Sequence, residues 1–477
     1  MRGVWRVADV RAAEEAVMRE LPDGTLMQRA AAGLARRCAL LLDRVYGSRV
    51  LLLVGAGNNG GDALFAGALL ARRGAHVTAL LLSPDRAHPA GLAELRRSGG
   101  VVRTVWSETI GADLVMDGIV GIGAGGGLRE PAATIVAALR ARTPRPIMVA
   151  VDVPSGVDVD TGAVPGAAVE ADVTVTFGCL KPALVAGPAA PLAGHVDLVD
   201  IGIAPEPSPA LRIADATDVA RWWPRLSAGS EKYTRGVVGI ATGSHTYPGA
   251  AVLSTAGALA GPTGMVRYAG TARAEVLRAH PSVVAADSVA GTGRVQAWLC
   301  GSGIGTDAAA RTALHDVLAT DLPAVLDADA LTMLVDGSPA DRLRDRHAPL
   351  VITPHDREFA RLAGGEPGPD RVAAALALAT RLTAVVLLKG DRTIVAAPDG
   401  TAWVNPTGTA ALATGGTGDV LAGLLASLLA AGVDPVRSAV TAAYLHGLAG
   451  RIAAEHGPVT APDVASALRE AVASIIP

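Results

Sequence analysis

Short apolar segments recur along the chain, and most of them stop at a Gly, Asp, His or Lys just before a segment with helical periodicity. Residues 49–54 (RVLLLV) are the clearest case in the first half, and residues 385–388 (VVLL) are a case in the second half. Strands that are apolar throughout are typical of parallel sheets with helices on both faces. The pattern therefore predicts an α/β fold in which polar residues gather at the carboxyl edge of each sheet.

The length of the chain and one proline-rich segment predict two domains. A chain of 477 residues exceeds the ~100–200 residues of a typical domain. Residues 204–210 (APEPSPA) resist helix formation and sheet pairing, because proline lacks an N–H group and fixes its own backbone. We therefore expect one domain over residues 1–210 and another over residues 217–477.

Composition argues against several classes of partner and site. The net charge of −3 gives neither the basic surface that nucleic acids require nor a polybasic membrane patch. Cys38, Cys179 and Cys300 are far apart, so neither a disulfide framework nor a zinc site is indicated. There is no apolar leader and no run of ~20 apolar residues, so we expect a cytoplasmic protein.

Lysine is rare in this chain. Three of the 42 basic residues are lysine, namely Lys181, Lys232 and Lys389. Where arginine serves almost every basic position, a lysine is expected to persist where a compact ammonium group is needed. Chance is the alternative explanation at each of the three positions.

A glycine-rich turn of residues 55–62 (GAGNNGGD) follows the first apolar segment and precedes a predicted helix from Ala63 to Arg72. It contains the G-x-G-x-x-G spacing of dinucleotide-binding turns, which is a weak signal by itself. Such a turn does not explain Asn58, Asn59 and Asp62. Amide and carbonyl oxygens at this place could also hold a hard monovalent cation.

Two further strands end in an acidic residue, Asp117 and Asp152, and the second begins the sequence Asp-Val-Pro-Ser-Gly that ends at Gly156. Carboxylates at neighbouring strand ends converge on one crevice, where they could bind a cation or exchange protons at a substrate carbon that bears oxygen. The alternative is that each aspartate caps the following helix.

These motifs, together with T-F-G-x-x-K-P at residues 176–182, resemble the NAD(P)H-hydrate epimerase family over roughly residues 1–210. The resemblance implies a Rossmann-like three-layer domain that interconverts the R and S forms of NAD(P)HX, in which water has added at C6 of the nicotinamide ring. Acid-assisted loss of the C6 hydroxyl and addition of water to the other face would exchange the two forms.

The epimerase resemblance also implies site residues. Asp152 would be catalytic and would contact the hydrated ring, and Lys181 would orient phosphate or ribose. Potassium would be held by Asn59, Asp117 and Ser155. The remaining substrate contacts would come from Asn58, Asn59, Gly60, Gly61, Asp62, Gly121, Ile122, Gly123, Ala124, Gly125, Gly126 and Gly127. The chain departs from the family at Ile122, where a threonine is usual, so one hydroxyl contact is missing.

A second glycine-rich turn, residues 413–419 (ATGGTGD), runs directly into an apolar helical segment from Val420 to Leu429. Its backbone N–H groups and the helix N-terminus form a site for phosphate or another oxyanion. A carboxylate at that point, Asp419, could take a proton from a hydroxyl that attacks a phosphoryl group. The alternative is that Asp419 only caps the helix.

The second turn resembles the glycine-rich turn of ribokinase-like small-molecule kinases. With T-P-H-x-x-E (353–358), D-A-D-A-L (327–331) and L-K-G (388–390), it resembles ADP-dependent NAD(P)H-hydrate dehydratase over residues 217–477. The resemblance implies that Asp419 removes the C6 hydroxyl proton, that the hydroxyl attacks the terminal phosphoryl group of ADP, and that phosphate then leaves to restore NAD(P)H, with AMP as the other product. Mg²⁺ would neutralise the phosphate charge.

The same resemblance assigns two sets of residues. Contacts to the hydrated cofactor would come from Ala250, Gly303, His355 and Asp419, and contacts to the nucleotide from Lys389, Gly390, Asp391, Arg392, Thr393, Gly415, Gly416, Thr417 and Gly418. The chain departs from the family in Gly301-Ser-Gly303, where Gly-Pro-Gly is common, and in a longer stretch at residues 405–412. His446 is expected to be structural.

The two resemblances together predict a bifunctional NAD(P)H-hydrate repair enzyme. Its substrates would be NADHX, NADPHX and ADP, its cofactors K⁺ and Mg²⁺, and we expect a homo-oligomer that binds neither nucleic acid nor membrane. One alternative is a vitamin or sugar kinase with an inactive N-terminal binding module. Another is that the first half is a binding or oligomerisation module without activity.

Overall fold

The computed structural model describes residues 1–123, 125–206, 208–335, 343 and 346–476. The chain divides into a first unit, Gly3–Leu211, and a second unit, Met1–Arg2 with Arg212–Pro477. Strands are numbered in chain order from β1 (Arg2–Val4). Within the described residues, no helix combines the length and the apolar character needed to cross a membrane.

The first unit is built on a seven-stranded sheet in which all paired strands run parallel. The strands are β2 (Arg49–Val54), β3 (His76–Leu81), β4 (Val101–Arg103), β5 (Leu114–Gly118), β6 (Ile147–Val151), β7 (Val173–Phe177) and β8 (His195–Val199). They are ordered β4-β3-β2-β5-β6-β7-β8. The order reverses between β2 and β5, so a crevice opens at the carboxyl ends of these strands, where doubly wound sheets bind ligands.

Helices cover both faces of this sheet. They are Val7–Met18, Thr25–Leu41, Asn58–Ala71, Pro89–Arg97 and Ala132–Arg140. Because side chains alternate along a strand, Leu52 packs in a buried cluster with Leu34, and Leu53 packs in a second cluster with Leu139. The apolar character of β2 is thus explained by burial on two faces, and the predicted α/β class is confirmed.

The second unit is built on a sheet with the strand order β9-β18-β17-β16-β15-β14-β13-β10-β11-β12. Its strands are β9 (Leu211–Ile213), β10 (Val237–Ala241), β11 (Met265–Ala269), β12 (Val284–Ala286), β13 (Ala297–Cys300), β14 (Ala324–Leu326), β15 (Leu350–Ile352), β16 (Val385–Leu388), β17 (Ile394–Ala396) and β18 (Ala402–Val404). β17 is antiparallel to both neighbours, whereas adjacent strands from β12 to β16 pair in parallel.

The helices of the second unit pack around this sheet. They are Ala216–Trp222, Pro248–Ala260, Arg273–Ala279, Ala308–Ala319, Asp329–Val335, Asp356–Ala363, Arg371–Leu382, Thr417–Ala430, Pro435–Ala454 and Ala461–Ala473. The apolar helix Thr417–Ala430 is almost entirely buried. Its first three residues, 417–419, are the last three of the second glycine-rich turn, so the core of the unit fixes the position of that turn.

Both glycine-rich turns continue into their helices earlier than the sequence predicted. The helices begin at Asn58 and Thr417, not at Ala63 and Val420, and each follows a glycine with positive φ, 91° at Gly57 and 88° at Gly416. Glycine adopts this conformation without a Cβ clash, so the chain turns at the glycine and is helical from the next residue. Polar residues expected in loops therefore lie in the first helical turns.

The helix-capping alternative is wrong for all three aspartates. Gly416 is the N-cap of the second helix, without a side-chain cap, and Asp419 lies inside its first turn. Asp117 belongs to β5, and among the described residues that follow it the next helix begins at Ala132. Asp152 is followed by β7, with no α-helix between. These carboxylates are free of the capping role that the sequence left open.

Close helix packing in the second unit depends on Gly423. A Cβ atom at this position would overlap the Ser254 carbonyl oxygen of the helix Pro248–Ala260. We expect Gly423→Ala to lower the free energy of unfolding by about 1–3 kcal/mol, because the two helices must move apart. Gly249→Ala is the control, since a Cβ there meets nothing within 4 Å. Urea denaturation of both variants tests this, and equal stabilities would contradict it.

Candidate active sites

The first candidate site lies in the crevice of the first unit, at the carboxyl ends of β2 and β5. A cavity of about 430 Å³ is lined there by part of the predicted set, namely Asn58, Asn59, Asp62, Gly121, Ile122, Gly123 and Asp152. Gly60 and Gly61 do not line it: Cβ atoms there would meet the Gly55 carbonyl oxygen at 2.7 Å and the His88 ring at 3.0 Å. Gly125, Gly126 and Gly127 are also outside its lining, and Ala124 lies outside the described residues.

Asp117 and Ser155 form one buried group beside this cavity. Asp117 is fully buried, and its carboxylate accepts hydrogen bonds from the Ser155 hydroxyl at 2.6 Å and the Ser155 N–H at 2.8 Å. Burial raises the pKa of Asp117 to about 6, against the opposing effect of the Ser155 bonds. Among the described residues no ion pair forms with Asp117. A buried carboxylate without a cationic partner is a natural ligand for a cation.

Asn59, the third residue of the predicted potassium set, is also buried, and its side-chain nitrogen has no hydrogen-bond partner among the described residues. The amide oxygen and nitrogen of asparagine are interchangeable in such a structure, so either atom can face an ion. The Val120 carbonyl oxygen, which accepts from Ser155 at 3.2 Å, is a further oxygen nearby. This set of hard oxygen donors fits an alkali cation.

Asp152 is held by three donors at a strained backbone position. Its φ of 68° places a non-glycine residue in the left-handed region, a cost that local structure must offset. Its Oδ1 accepts from Lys181 Nζ at 2.5 Å, from Thr176 Oγ1 at 3.0 Å and from the Phe177 N–H at 3.2 Å.

The prediction that Lys181 orients phosphate or ribose is not supported by this geometry. Lys181 is 1% exposed, and its Nζ also donates to Thr176 Oγ1 and Phe177 O.

The sequence analysis missed two charged residues of this cavity, Arg11 and Glu14, which the helix Val7–Met18 contributes. Burial raises the pKa of Glu14, and the negative charge of the nearby Asp152 raises it further. Nothing in the local sequence distinguishes Glu14 from the neighbouring Glu15. Glu14 could be assigned to the site only from the folded structure, since its helix lies far from the other site residues in sequence.

The second candidate site is a cavity of about 1150 Å³ in the second unit. It is lined by nearly all of the predicted nucleotide residues, namely Lys389, Gly390, Asp391, Thr393, Gly415, Gly416, Thr417 and Gly418, and by His355 and Asp419. Arg392, Ala250 and Gly303 do not line it. Ala250 and Gly303 instead face each other, since a Cβ on Gly303 would lie 2.8 Å from Ala250 Cβ.

Asp419 has the protonation behaviour of a general base near neutral pH. Burial raises its pKa to about 7, and the neighbouring Asp327 adds to this, while a hydrogen bond from Ser302 and the charge of Lys389 oppose it. Ser302 is also bonded to Asp327 Oδ2 at 3.1 Å. The serine that replaces the usual proline of the family is thus part of the site.

Lys389 provides a positive charge that lies between buried carboxylates of this cavity. Its Nζ lies 2.8 Å from Asp327 Oδ1 and 3.6 Å from Glu358 Oε2, both buried carboxylates. A Cβ placed on Gly418 would lie 3.6 Å from the same nitrogen. The ammonium group therefore faces the N-terminal turn of the helix, where the backbone N–H groups would hold an oxyanion.

Two histidines border the cavity. His355 caps the helix Asp356–Ala363, and its Nδ1 accepts from the Arg357 and Glu358 N–H groups. His446 is buried, and its Nε2 donates to the Thr417 carbonyl oxygen at 2.9 Å. Burial lowers the pKa of His446 to about 4, so the ring is neutral and supports the turn.

Comparisons with known proteins were made for both halves. The family model described as YjeF-related protein N-terminus matches residues 23–183, and the model described as NAD(P)H-hydrate dehydratase matches residues 238–470. In the second half, the chain is 28% identical to the ADP/ATP-dependent NAD(P)H-hydrate dehydratase of Bacillus subtilis co-crystallised with ATP/Mg²⁺, with a TM-score of 0.51 over 56% of this chain and 99% of that one. A ribokinase-like superfamily protein of Enterococcus faecalis is 25% identical, with a TM-score of 0.52 over 56% and 97%. The ribokinase-like prediction is confirmed.

Relatives that match over most of the chain indicate the same family. The chain is 51% identical to the bifunctional NAD(P)H-hydrate repair enzyme Nnr of Mycobacterium tuberculosis over 437 residues, which cover 91% of this chain and 90% of the relative. It is 47% identical to the Mycobacterium leprae enzyme of the same name over 471 residues, 98% of this chain and 97% of the relative. The predicted resemblance is confirmed, and the chain belongs to the family of bifunctional NAD(P)H-hydrate repair enzymes.

Proposed function

We propose that the first unit interconverts the R and S epimers of NADHX and NADPHX, and that the second unit dehydrates the S epimer to NAD(P)H at the expense of ADP. The observation that carries the proposal is Asp419: a carboxylate with a pKa of about 7 at the phosphate-binding end of a helix, in a cavity of nucleotide size. The comparisons favour this function over the alternative of a vitamin or sugar kinase.

In the dehydratase, Asp419 takes the proton of the C6 hydroxyl while that oxygen attacks the terminal phosphorus of ADP. The bond from this phosphorus to the bridging oxygen breaks, and AMP departs with the electron pair. The C6–O bond then breaks toward phosphate, the ring nitrogen forms a double bond to C6, and loss of a C5 proton restores the dihydronicotinamide. Lys389 and the N–H groups of residues 415–418 stabilise the phosphoryl charge.

Magnesium fits this cavity by the chemistry of its donors. Mg²⁺ is commonly bound by one or two carboxylates together with substrate phosphates and water. Asp356, Glu358 and Asp391 line the cavity and are the candidates to hold it. When bound, the ion would neutralise charge on the nucleotide phosphates. The Bacillus subtilis relative was co-crystallised with ATP/Mg²⁺, which supports this assignment.

In the epimerase, Asn59, Asp117 and Ser155 would hold K⁺ and the Val120 carbonyl oxygen would complete the set. The ion would supply positive charge next to the dinucleotide. Asp152 would face the hydrated ring as an anion, since Lys181 and two further donors hold its Oδ1. The residues present therefore fit both the cation and a ring that becomes positively charged when its hydroxyl leaves.

Potassium is expected to stabilise the first unit. A ligand that binds the folded state at about 100 times its Kd raises stability by about 2.7 kcal/mol. We expect KCl, compared with choline chloride at equal ionic strength, to raise the unfolding temperature, and Asp117→Asn to abolish the difference. Asp85→Asn is the control, because this exposed carboxylate lies away from the cavity. An unchanged response in Asp117→Asn would contradict the assignment.

The function is tested by NAD(P)H absorbance with a defined mixture of R and S NAD(P)HX, with ADP and with ATP. Complete conversion of both epimers supports two active units. Conversion of the S epimer alone, apart from spontaneous epimerisation, supports the alternative of an inactive first unit. A stable phosphorylated product without NAD(P)H supports the kinase alternative.

We also infer a cytoplasmic location and a homo-oligomeric state. Reduced nicotinamide cofactors are abundant in the cytoplasm, and the three free cysteines are all buried in a reduced form.

The homo-oligomeric state is tested by light scattering of the purified chain, which measures its mass in solution. A mass near 48.0 kDa, that of one chain, would contradict the homo-oligomer.

A further inference from the structure

We propose that Asp62 is the proton donor of the epimerase reaction and that the neighbouring Asp152 remains an anion throughout. This assignment rests on the proposed function of the first unit, and it separates two roles that the sequence analysis placed together on Asp152.

Asp62 combines burial, access to the cavity and a free oxygen. It is 8% exposed, is the fifth residue of the helix Asn58–Ala71 and lines the cavity. Its Oδ1 is buried and has no hydrogen-bond partner among the described residues. A carboxyl group without a donor beside it lacks the interactions that stabilise a carboxylate, so the geometry favours its neutral form.

Asp152 has the opposite environment, although it lines the same cavity. Its Oδ1 accepts three hydrogen bonds, one of them from the Lys181 ammonium group at 2.5 Å. Each of these donors stabilises the charged form of the carboxyl group. Two carboxyl groups whose surroundings favour opposite protonation states are the usual arrangement of an acid and an anionic partner.

The charged and titratable groups around Asp62 come from several elements. The helix Val7–Met18 contributes Arg11 and Glu14, Asp152 directly follows β6, and Lys181 lies in the segment after β7. His88 lies against Gly61 and accepts a hydrogen bond at Nδ1 from the Gly91 N–H. Burial raises the pKa of Asp62 well above its ordinary value, the charges of Asp152 and Glu14 add to this, and Lys181 opposes it.

The proposed reaction transfers one proton from Asp62 to the substrate and later returns one proton to Asp62. Asp62 gives its proton to the C6 hydroxyl while the C6–O bond breaks, and the electron pair leaves with oxygen as water. The lone pair of the ring nitrogen forms a double bond to C6, which makes the ring cationic, and the Asp152 carboxylate stabilises this charge. Water then adds to the other face of C6, the π electrons return to nitrogen, and the proton released by the added water restores Asp62.

The test uses the full chain, with the R epimer as substrate and the S epimer as an internal control for the second unit. Asp62→Asn is expected to lower kcat for epimerisation by about 10²–10⁴-fold with little change in KM, as for other general acids. Asp62→Glu should recover most of the rate, and Asp85→Asn should stay within about twofold of the unaltered chain.

The pH profile separates proton donation from a structural role. Epimerisation by the unaltered chain should decline at high pH, because the acid must be protonated, and Asp62→Asn should lack this decline. The proposal would be overturned if Asp62→Asn changed only KM, or if its epimerisation rate still declined at high pH. It would also be overturned if Glu14→Gln lowered kcat more than Asp62→Asn does. Absence of epimerisation in the unaltered chain would contradict the proposed function itself.

Discussion

Replacing Asp419 with asparagine is expected to slow dehydration of S-NAD(P)HX by about 10²–10⁴-fold, the usual contribution of a positioned general base. Asparagine keeps the size of the side chain but cannot accept the C6 hydroxyl proton. Epimerisation in the same molecules should continue at its normal rate, since Asp419 belongs to the second unit. NAD(P)H absorbance measures the first effect, and chromatography of the two epimers measures the second.

The pH dependence of the unaltered enzyme provides a second test of Asp419. Burial raises its pKa to about 7, and a base acts only in its deprotonated form. We therefore expect kcat/KM for dehydration to rise about tenfold per pH unit below pH 7 and to level off above it. A profile that is flat between pH 5 and 8 would contradict the assignment, as would substantial activity in Asp419→Asn.

The free energy of unfolding of Asp419→Asn shows whether the variant is inactive because it lacks the base or because its fold is damaged. The pKa of Asp419 is about 7 in the folded state, above its ordinary value of 3.8, so the contribution of this group to stability falls as the pH rises from about 3.8 to about 7 and is constant above that. Asp419→Asn removes that ionisation. At pH 8 the variant should therefore be at least as stable as the unaltered chain in urea while it is nearly inactive.

Much of the fold could be predicted from the sequence, because the signals were local. The apolar run of β2 and the turn at residues 55–62 together specify a strand, a turn and a helix of a doubly wound sheet. The starts of the two glycine-led helices were placed several residues too late. Gly57 and Gly416 complete each turn at a single residue with positive φ, and the polar residues that follow can therefore be helical.

The composition of the sites was harder to predict where partners are distant in sequence. The rarity of lysine singled out Lys181, but its partner Asp152 lies 29 residues away, and a ligand role was predicted instead. Glu14 belongs to the first helix and carries no motif. Asp327 was part of a motif, but its bond to Lys389 spans 62 residues. Only the folded topology shows which charges meet.

The largest effect on stability is expected from Lys181→Met in the first unit. The Lys181 side chain is 1% exposed and pairs with Asp152, whose side chain is 11% exposed. Removal of one partner leaves a buried carboxylate without its counter-charge, a change that typically costs about 3–5 kcal/mol. Methionine preserves most of the side-chain volume, so lost packing contributes little to the expected effect.

An exposed ion pair in the same unit is the matched control. Arg140 pairs with Glu170 at the surface, with side-chain exposures of 57% and 36%. Arg140→Met should cost only about 0–1 kcal/mol, because water already screens both charges. Urea denaturation of both variants, followed by a probe of the first unit, measures the difference.

The double variant Lys181→Met with Asp152→Asn decides whether charge is the cause. If the uncompensated carboxylate accounts for the loss, neutralising it should restore a large part of the stability, with a coupling energy of about 0.5–3 kcal/mol between the two sites. Equal losses in the single and double variants would instead show that Lys181 acts through its bonds to Thr176 and Phe177. In that case Asp152 would owe its orientation to the backbone turn at φ 68° and not to the ammonium group.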